Sequence, residues 1–124
     1  ALRGDREVVL AAVTEDGRAL EYAAESLRGE REIVLAAVQR HAFALKHATE
    51  ALRGDREVVL RAAQKFGLAL QYATGDVRAD REVVQAAVQD DRLAIRYAAD
   101  CLLEDPTFAP EAKRDFHLLK LTLL

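Results

Sequence analysis

The pentapeptide Asp5-Arg-Glu-Val-Val9 recurs three more times, with small changes and without an insertion or deletion between copies. At a fixed period of 25 residues, the copies begin at Asp5, Glu30, Asp55 and Asp80. Such a period is typical of repeat proteins in which each unit packs on its neighbours. The first to fourth units therefore span residues 5–29, 30–54, 55–79 and 80–104. Residues 1–4 match the tail of a further unit, so we expect a longer array.

The first segment of each unit is predicted to be a short α-helix. Asp5 is a suitable N-cap, because its carboxylate accepts backbone N–H bonds and suits the helix dipole. Asp105-Pro106 supports this register, since proline is well tolerated at the first helical position. We expect Gly17 to end the helix in the left-handed conformation. The predicted apolar stripe, at i, i+4 spacing, consists of Val8, Val9, Ala12 and Val13.

A second helix in each unit is predicted to carry Ala19, Leu20, Ala23 and Leu27 on one face. Alanine recurs at two of these positions in every unit, which allows the helices to approach closely. Strands are a weaker interpretation of the valine-rich runs, because charged caps and the 3.6-residue period favour helix. The predicted fold class is therefore all-α: an α-solenoid of stacked 25-residue helix-turn-helix repeats with a divergent C-terminal helix.

The pattern breaks after Glu104. Pro110 stands at the position of Leu10, where proline would remove a helical hydrogen bond. We therefore separate repeats over residues 1–104 from a divergent segment over 105–124, with a turn at 105–109 and a helix from Pro110. This segment is either a cap on the last unit, which we favour, or a degenerate fifth unit. The predicted apolar face of its helix consists of Ala112, Phe116, Leu119 and Leu123.

Composition limits the function classes. The chain has 18 basic and 21 acidic residues and a net charge of −3, which argues against nucleic acid as a partner. The single cysteine, Cys101, can form no internal disulfide and suits a reducing, intracellular compartment. The longest apolar runs are too short to span a bilayer. His41 and His47 lack the i, i+4 spacing of a zinc pair, and we expect no metal or other cofactor.

The unit Asp5 to Val13, followed by Gly17 to Ala23, resembles the tandem repeats of domain of unknown function family 4116. The resemblance covers about residues 1–104, and the tail from Pro106 onward departs from the pattern. The resemblance implies a string of repeats with no established activity. No catalytic or ligand-binding residue is therefore carried over.

Two columns of arginine follow one edge of the predicted stack. Such a ladder can bind phosphate or an acidic peptide. Acidic residues such as Asp5 and Glu7 recur among the arginines, however, so inter-unit ion pairs are the favoured interpretation. The two columns are Arg3, Arg28, Arg53 and Arg78, and Arg6, Arg31, Arg56 and Arg81.

A column of rings lies on the predicted second helices and contains Tyr22, His47, Tyr72 and Tyr97. One helical turn earlier stand Arg18, Phe43, Leu68 and Leu93. Packing of each ring on the next unit is the favoured interpretation, and a groove for a partner is the alternative. The second unit differs most from the others. The candidate partner-binding site is therefore its Arg40, His41, Phe43, Lys46 and His47, with Tyr22, Tyr72 and Tyr97.

The leading functional hypothesis is a protein-binding scaffold or structural subunit, with the leucine-rich residues 118–124 available to a larger complex. An RNA-binding solenoid is one alternative, although a one-base-per-repeat reader needs a basic groove. The exposed column instead changes sign, reading Glu21, Lys46, Gln71 and Arg96. A spacer or targeting module of a larger enzyme is another alternative. We predict no enzymatic activity, because no nucleophile, base and orienting group stand together in the sequence.

The repeat pattern makes a prediction about folding. A single unit cannot bury its apolar stripes alone, so a peptide of residues 5–29 is expected to be largely unfolded. Circular dichroism measures this directly, with residues 1–104 as the folded control. A stable helical spectrum for the single unit would contradict the prediction.

Overall fold

The regular structure of the described residues is entirely helical. The structure, a computed structural model, describes the backbone of residues 2–123 and the side chains of all of these except 119, 120, 122 and 123. The predicted all-α class is confirmed. In this range the α-helices are α1 (Arg6–Glu15), α2 (Glu25–Arg28), α3 (Arg31–Arg40), α4 (Glu50–Arg53), α5 (Arg56–Lys65), α6 (Arg81–Asp90), α7 (Asp100–Glu104) and α8 (Pro110–Leu123). The 3-10 helices are η1 (Leu2–Gly4), η2 (Gly17–Tyr22), η3 (Ala42–His47), η4 (Gly67–Tyr72), η5 (Gly75–Ala79) and η6 (Arg92–Tyr97).

Three helical segments make up each unit: a long α-helix, a six-residue 3-10 helix and a short last turn. The long helices are α1, α3, α5 and α6. Asp5 caps α1 as predicted, accepting hydrogen bonds from the backbone N–H groups of Glu7 and Val8. Asp55 and Asp80 cap α5 and α6 in the same way. Glu30 makes no capping bond and instead accepts a hydrogen bond from Arg6 at 2.9 Å.

The prediction of one continuous second helix in each unit is wrong. Ala23 and Ala24 are extended, with ψ of 153° and 148°, and they separate η2 from α2. The N–H of Ala24 does not bond within its own unit but donates to the carbonyl of Arg3 at 3.0 Å. Thr49, Thr74 and Ala99 donate to Arg28, Arg53 and Arg78 in the same manner. A backbone bond to the preceding unit therefore replaces one turn of helix.

Arginine side chains cover the carbonyls that this break leaves free. Arg28 Nε donates to the carbonyl of Ala23 at 3.2 Å, and Arg53 bonds Ala48 in the same way. Arg78 donates to the carbonyls of both Ala73 and Gln71. These bonds correct the expectation that this arginine column forms ion pairs. Because buried backbone carbonyls need partners, the arginines stabilise the ends of the 3-10 helices.

Gly17 does not end α1 in the left-handed conformation. The helix ends at Asp16, which is extended with φ of −145°, and Gly17 starts η2. A Cβ at Gly17 would lie 2.2 Å from the carbonyl oxygen of Ala37 in the next unit. Glycine is needed here for close backbone approach. Left-handed glycine occurs instead at Gly75, with φ of 67°, where a 3-10 helix replaces the short α-helix of other units.

One continuous apolar core links successive units. Each long helix contacts the next one, and η2, η3 and η4 each pack against the long helix that follows. Ile33, Val58 and Val83 are fully buried, whereas Val8, at the same position of the first unit, is 43% exposed because the described residues include no long helix before α1. The predicted small-residue contacts are also buried: Ala44, Ala69, Ala94, Ala23, Ala48, Ala73 and Ala98.

The C-terminal segment continues the core of the units. Phe108 follows Val83 by 25 residues and is 2% exposed, and Ala112 stands in the same relation to Ala87. Helix α8 begins at Pro110 and packs on η6, and Phe116 is half-buried against the core. Leu118 and Leu121 are exposed. The side chains of Leu119 and Leu123, predicted to share the apolar face, lie outside the described residues, as does Leu124.

We expect the buried alanine of η4 to tolerate no added bulk. Ala69→Leu should lower the free energy of unfolding by about 1 to 3 kcal/mol, since Ala69 is fully buried and overpacking a core costs this much. Gln71→Leu, in the same 3-10 helix but partly exposed, is the control and should change stability little. Chemical denaturation measures both, and equal losses would contradict the assigned buried face.

Candidate functional site

The residues singled out in the second unit line one open cleft. It has a volume of about 530 Å³ and extends across η3 and the end of α3. All five candidates of this unit line it: Arg40, His41, Phe43, Lys46 and His47. The first unit adds Arg18 and Glu21, and the third unit adds Lys65 and Phe66. We call this cavity the central cleft.

An aromatic cluster forms the apolar part of the central cleft. The ring centroids of Phe43 and Phe66 are 4.6 Å apart, and Tyr72 meets Phe43 edge-on at 5.8 Å. Phe43 is 37% exposed and Phe66 is 42% exposed, so both rings remain open to solvent. Phe66 was absent from the predicted site. Its appearance in a column otherwise held by aspartate or histidine was a signal, but only the extended backbone after α5 places it beside Phe43.

Positive charge predominates in the central cleft, although the chain as a whole is acidic. Four cationic side chains and one carboxylate line it. Arg18 is paired with Asp16 at 2.8 Å, and Arg40 donates to the backbone carbonyl of Glu15. Among the described residues, neither Lys46 nor Lys65 has a hydrogen-bond or ion-pair partner. Two ammonium groups are therefore available to a ligand.

The two histidines of the central cleft have different surroundings. His41 Nδ1 accepts a hydrogen bond from the N–H of Gly17 at 3.1 Å, which joins the first and second units, and it lies 3.4 Å from the Asp16 carboxylate. Burial lowers the pKa of His47, which favours its neutral form. The positive charge of the cleft therefore rests on its arginine and lysine side chains.

The three tyrosines of the predicted site do not stay together. Tyr72 contacts Phe43 and so borders the central cleft. Tyr22 is 64% exposed and lies outside the lining of the cleft. Tyr97 is half-buried in the fourth unit, where the Arg96 guanidinium lies 5.4 Å from its ring centroid. Of the three predicted tyrosines, Tyr72 is therefore the one that meets the aromatic rings of the cleft.

The second arginine column forms the predicted inter-unit ion pairs. Arg6 binds Glu30 and Glu32, and Arg31 binds Asp55 and Glu57. Arg56 and Arg81 continue the ladder toward later units. Each pair joins a unit to the next one. The charges of this column are already matched, which leaves little capacity for an anionic ligand.

A further cavity of about 570 Å³ lies between α6 and the start of α8. Its Arg92 is paired with Glu111 and Asp115. The Phe108 ring lies near the Arg81 guanidinium, at 5.1 Å, and the Lys113 ammonium, at 5.7 Å. This cavity therefore offers less unmatched charge than the central cleft.

Among the described residues, no three His, Cys, Asp or Glu side chains are placed to hold a metal ion. No helix within residues 2–123 combines the length and apolar character needed to cross a bilayer.

Comparison with known families gives two adjacent matches. The model of the family described as "Domain of unknown function (DUF4116)" matches residues 5–53 and 55–103. The chain belongs to this family. Each match begins at an N-cap aspartate, Asp5 or Asp55, and spans two of the units defined above. No curated protein and no solved structure gave a significant match. The family description names no activity.

The ion pair beside the central cleft predicts an unusual titration. The hydrogen bond from the Arg18 side chain lowers the pKa of Asp16 from 3.8 to about 2. Since the folded-state pKa lies below the unfolded value, this carboxylate stabilises the fold above about pH 4, and its contribution is lost as the pH falls toward 2. Arg18→Ala should raise the pKa of Asp16, as followed by carboxyl NMR shifts.

Asp105 provides the internal control for this titration. Its pKa is also lowered to about 2, chiefly by the hydrogen bond from the Thr107 hydroxyl. It should keep that value in the Arg18→Ala variant. An unchanged pKa at Asp16, or an equal rise at both carboxyls, would contradict the assignment.

Proposed function

We propose that the chain is an α-solenoid of 25-residue units that serves as a protein-binding scaffold and binds a peptide segment in the central cleft. The regular spacing of the long helices, which begin at Arg6, Arg31, Arg56 and Arg81, supports the solenoid. The fit of Phe108 and Ala112 into the core supports a capping role for residues 105–124.

The observation that carries this proposal is the pairing of exposed aromatic rings with unmatched cations. Elsewhere, carboxylates bind Arg6, Arg31, Arg56 and Arg81, and backbone carbonyls accept hydrogen bonds from Arg28, Arg53 and Arg78. In the central cleft, Phe43 and Phe66 are open, and Lys46 and Lys65 have no bonding partner among the described residues. Aromatic anchors beside polar groups are typical of protein interfaces. The cleft is therefore the best binding surface identified among the described residues.

The surrounding structure holds this cleft in place. The backbone bond from Thr49 to Arg28 ties the second unit to the first, and the bond from Thr74 to Arg53 ties the third unit to the second. The long helices α3 and α5 also pack against each other. A preformed surface loses less conformational entropy when a partner binds. A scaffold is the function that such a surface suits.

Single-stranded RNA is the second candidate, because bases can stack on open aromatic rings. Phe43 and Phe66 are the observation in its favour. The same two positions hold Arg18 and Asp16 in the first unit and Leu93 and Asp91 in the fourth. A base-reading position therefore does not recur from unit to unit, as a modular RNA reader requires. We favour a peptide for this reason.

The experiment is selection of peptides from a random display library on the full chain, followed by binding to two double variants. Phe43→Ala/His47→Ala removes two cleft residues and should weaken the selected peptides by about tenfold or more, since aromatic anchors dominate interface energetics. Leu93→Ala/Tyr97→Ala changes the same two positions in the fourth unit and should leave binding unchanged. Binding is measured by biolayer interferometry.

Thermal melts of both variants accompany the binding data. Truncation of a fully buried phenylalanine to alanine lowers the free energy of unfolding by about 3 to 5 kcal/mol. Truncation of Phe43 should lower it by less, because Phe43 is 37% exposed. Retained helicity with lost binding supports the proposal. Failure to select any peptide, or equal binding by both variants, would overturn it.

A further inference from the structure

We infer that the central cleft recognises a short acidic peptide segment that carries one aromatic or large aliphatic anchor residue. The inference rests on the proposed function, which it narrows to one class of partner. It is carried by the position of each free ammonium beside an exposed ring and by the charge pattern along the units.

Each exposed ring has a cation beside it in the chain. Lys46 follows Phe43 by three residues within η3, and residues three apart lie on the same edge of a 3-10 helix. Lys65 is the last residue of α5 and directly precedes Phe66. Both rings and both lysines line the same cleft, so a ligand held there can contact the rings and the ammonium groups together. Carboxylates next to the anchor in the ligand would meet them.

The floor of the cleft is apolar and suits an anchor side chain. Ala42 and Ala44, both buried, line it together with the two phenylalanine rings. Their small side chains leave the volume of about 530 Å³ open. This is room for a few side chains of a partner. Burial of an aromatic anchor there would remove apolar surface of Phe43 and Phe66 from water.

Charge complementarity restricts the anionic part of the ligand to the middle units. The position at the end of each long helix reads Glu15, Arg40, Lys65 and Asp90, and the next position reads Asp16, His41, Phe66 and Asp91. Basic or neutral residues thus occupy the second and third units, and acidic residues stand on both sides. A short acidic segment fits this pattern because its negative charges can lie against the second and third units without reaching the acidic residues of the first and fourth.

The same pattern disfavours a nucleic acid. A strand long enough to cross several units would bring phosphates to Glu15 and Asp16 at one end and to Asp90 and Asp91 at the other. The Phe43 and Phe66 rings also cover part of each other, at a centroid distance of 4.6 Å, which leaves less ring face for base stacking. Preferential binding of RNA in the test would therefore contradict the inference.

The test measures retention of three labelled probes on the immobilised full chain. The first is a synthetic peptide pool with a fixed central phenylalanine flanked by glutamates, the other positions being random. The second pool replaces the glutamates with lysines, and the third probe is oligouridylate. We expect the acidic pool to be retained at least about tenfold more than the basic pool, and less at high salt, where exposed charge pairs are screened.

Two charge-reversal variants locate the interaction. Lys46→Glu/Lys65→Glu should reduce retention of the acidic pool by about tenfold or more, since like charges then face each other across the interface. Arg96→Glu is the matched control: it lies three residues after Leu93 in η6, as Lys46 follows Phe43, but outside the cleft. It should retain the pool as the unaltered chain does. Circular dichroism verifies that each variant is folded.

Each result decides the inference. Equal retention of the acidic and basic pools, a preference for oligouridylate, or equal losses in both charge variants would overturn it. If the double variant does not fold, Lys46→Gln and Lys65→Gln are measured singly, and undiminished retention in both would also overturn it. Display-selected peptides that need Phe43 but carry no acidic residues would leave the proposed function intact while this narrower inference fails.

Discussion

The backbone hydrogen bond between units is the interaction on which the rest of this structure depends. Ala24, Thr49, Thr74 and Ala99 each donate to a carbonyl of the preceding unit, at 2.9 to 3.1 Å. Such a bond requires the chain to leave its own helix, which it does through two extended residues. An α-helix satisfies its N–H groups locally, whereas here one group per unit is satisfied by a neighbour. The unit is thereby defined by its contacts with the next one as much as by its own sequence.

Close approach of the units follows from this bond and explains the residues that permit it. The carbonyl of Ala37 lies where a Cβ of Gly17 would be, and Ala87 blocks Gly67 in the same way. The core-facing valines and alanines of α3 and α5, such as Val34, Ala37, Val59 and Ala62, are fully buried. Arginine side chains pair with carboxylates of the next unit or donate hydrogen bonds to backbone carbonyls. The exposed positions at the ends of the long helices are free of these constraints, and the central cleft forms there.

The cleft shows how a locally basic surface arises on an acidic chain. Residues at equivalent positions of successive units line the same cleft here, so a change of residue between units changes the charge of that surface. Arg40 and Lys65 occupy one such position and both line the central cleft, whereas the first and fourth units have Glu15 and Asp90 there. The net charge, which argued against nucleic acid as a partner, did not reveal this local excess of positive charge. Differences in charge between successive units thus give the cleft its positive character.

The sequence by itself determined the all-helical class, the family, the aspartate caps and the positions of most buried valines and alanines, although Val8 and Ala12 of the predicted stripe are exposed. These depend on local chemistry and on periodicity, which are legible in one chain. Tertiary structure decided what local chemistry does not contain. Ala23 and Ala24 have high helix propensity, yet an inter-unit bond holds them extended. Phe66 joined the site, and Tyr22 and Tyr97 left it, because 3-10 geometry and stacking set which side chains meet.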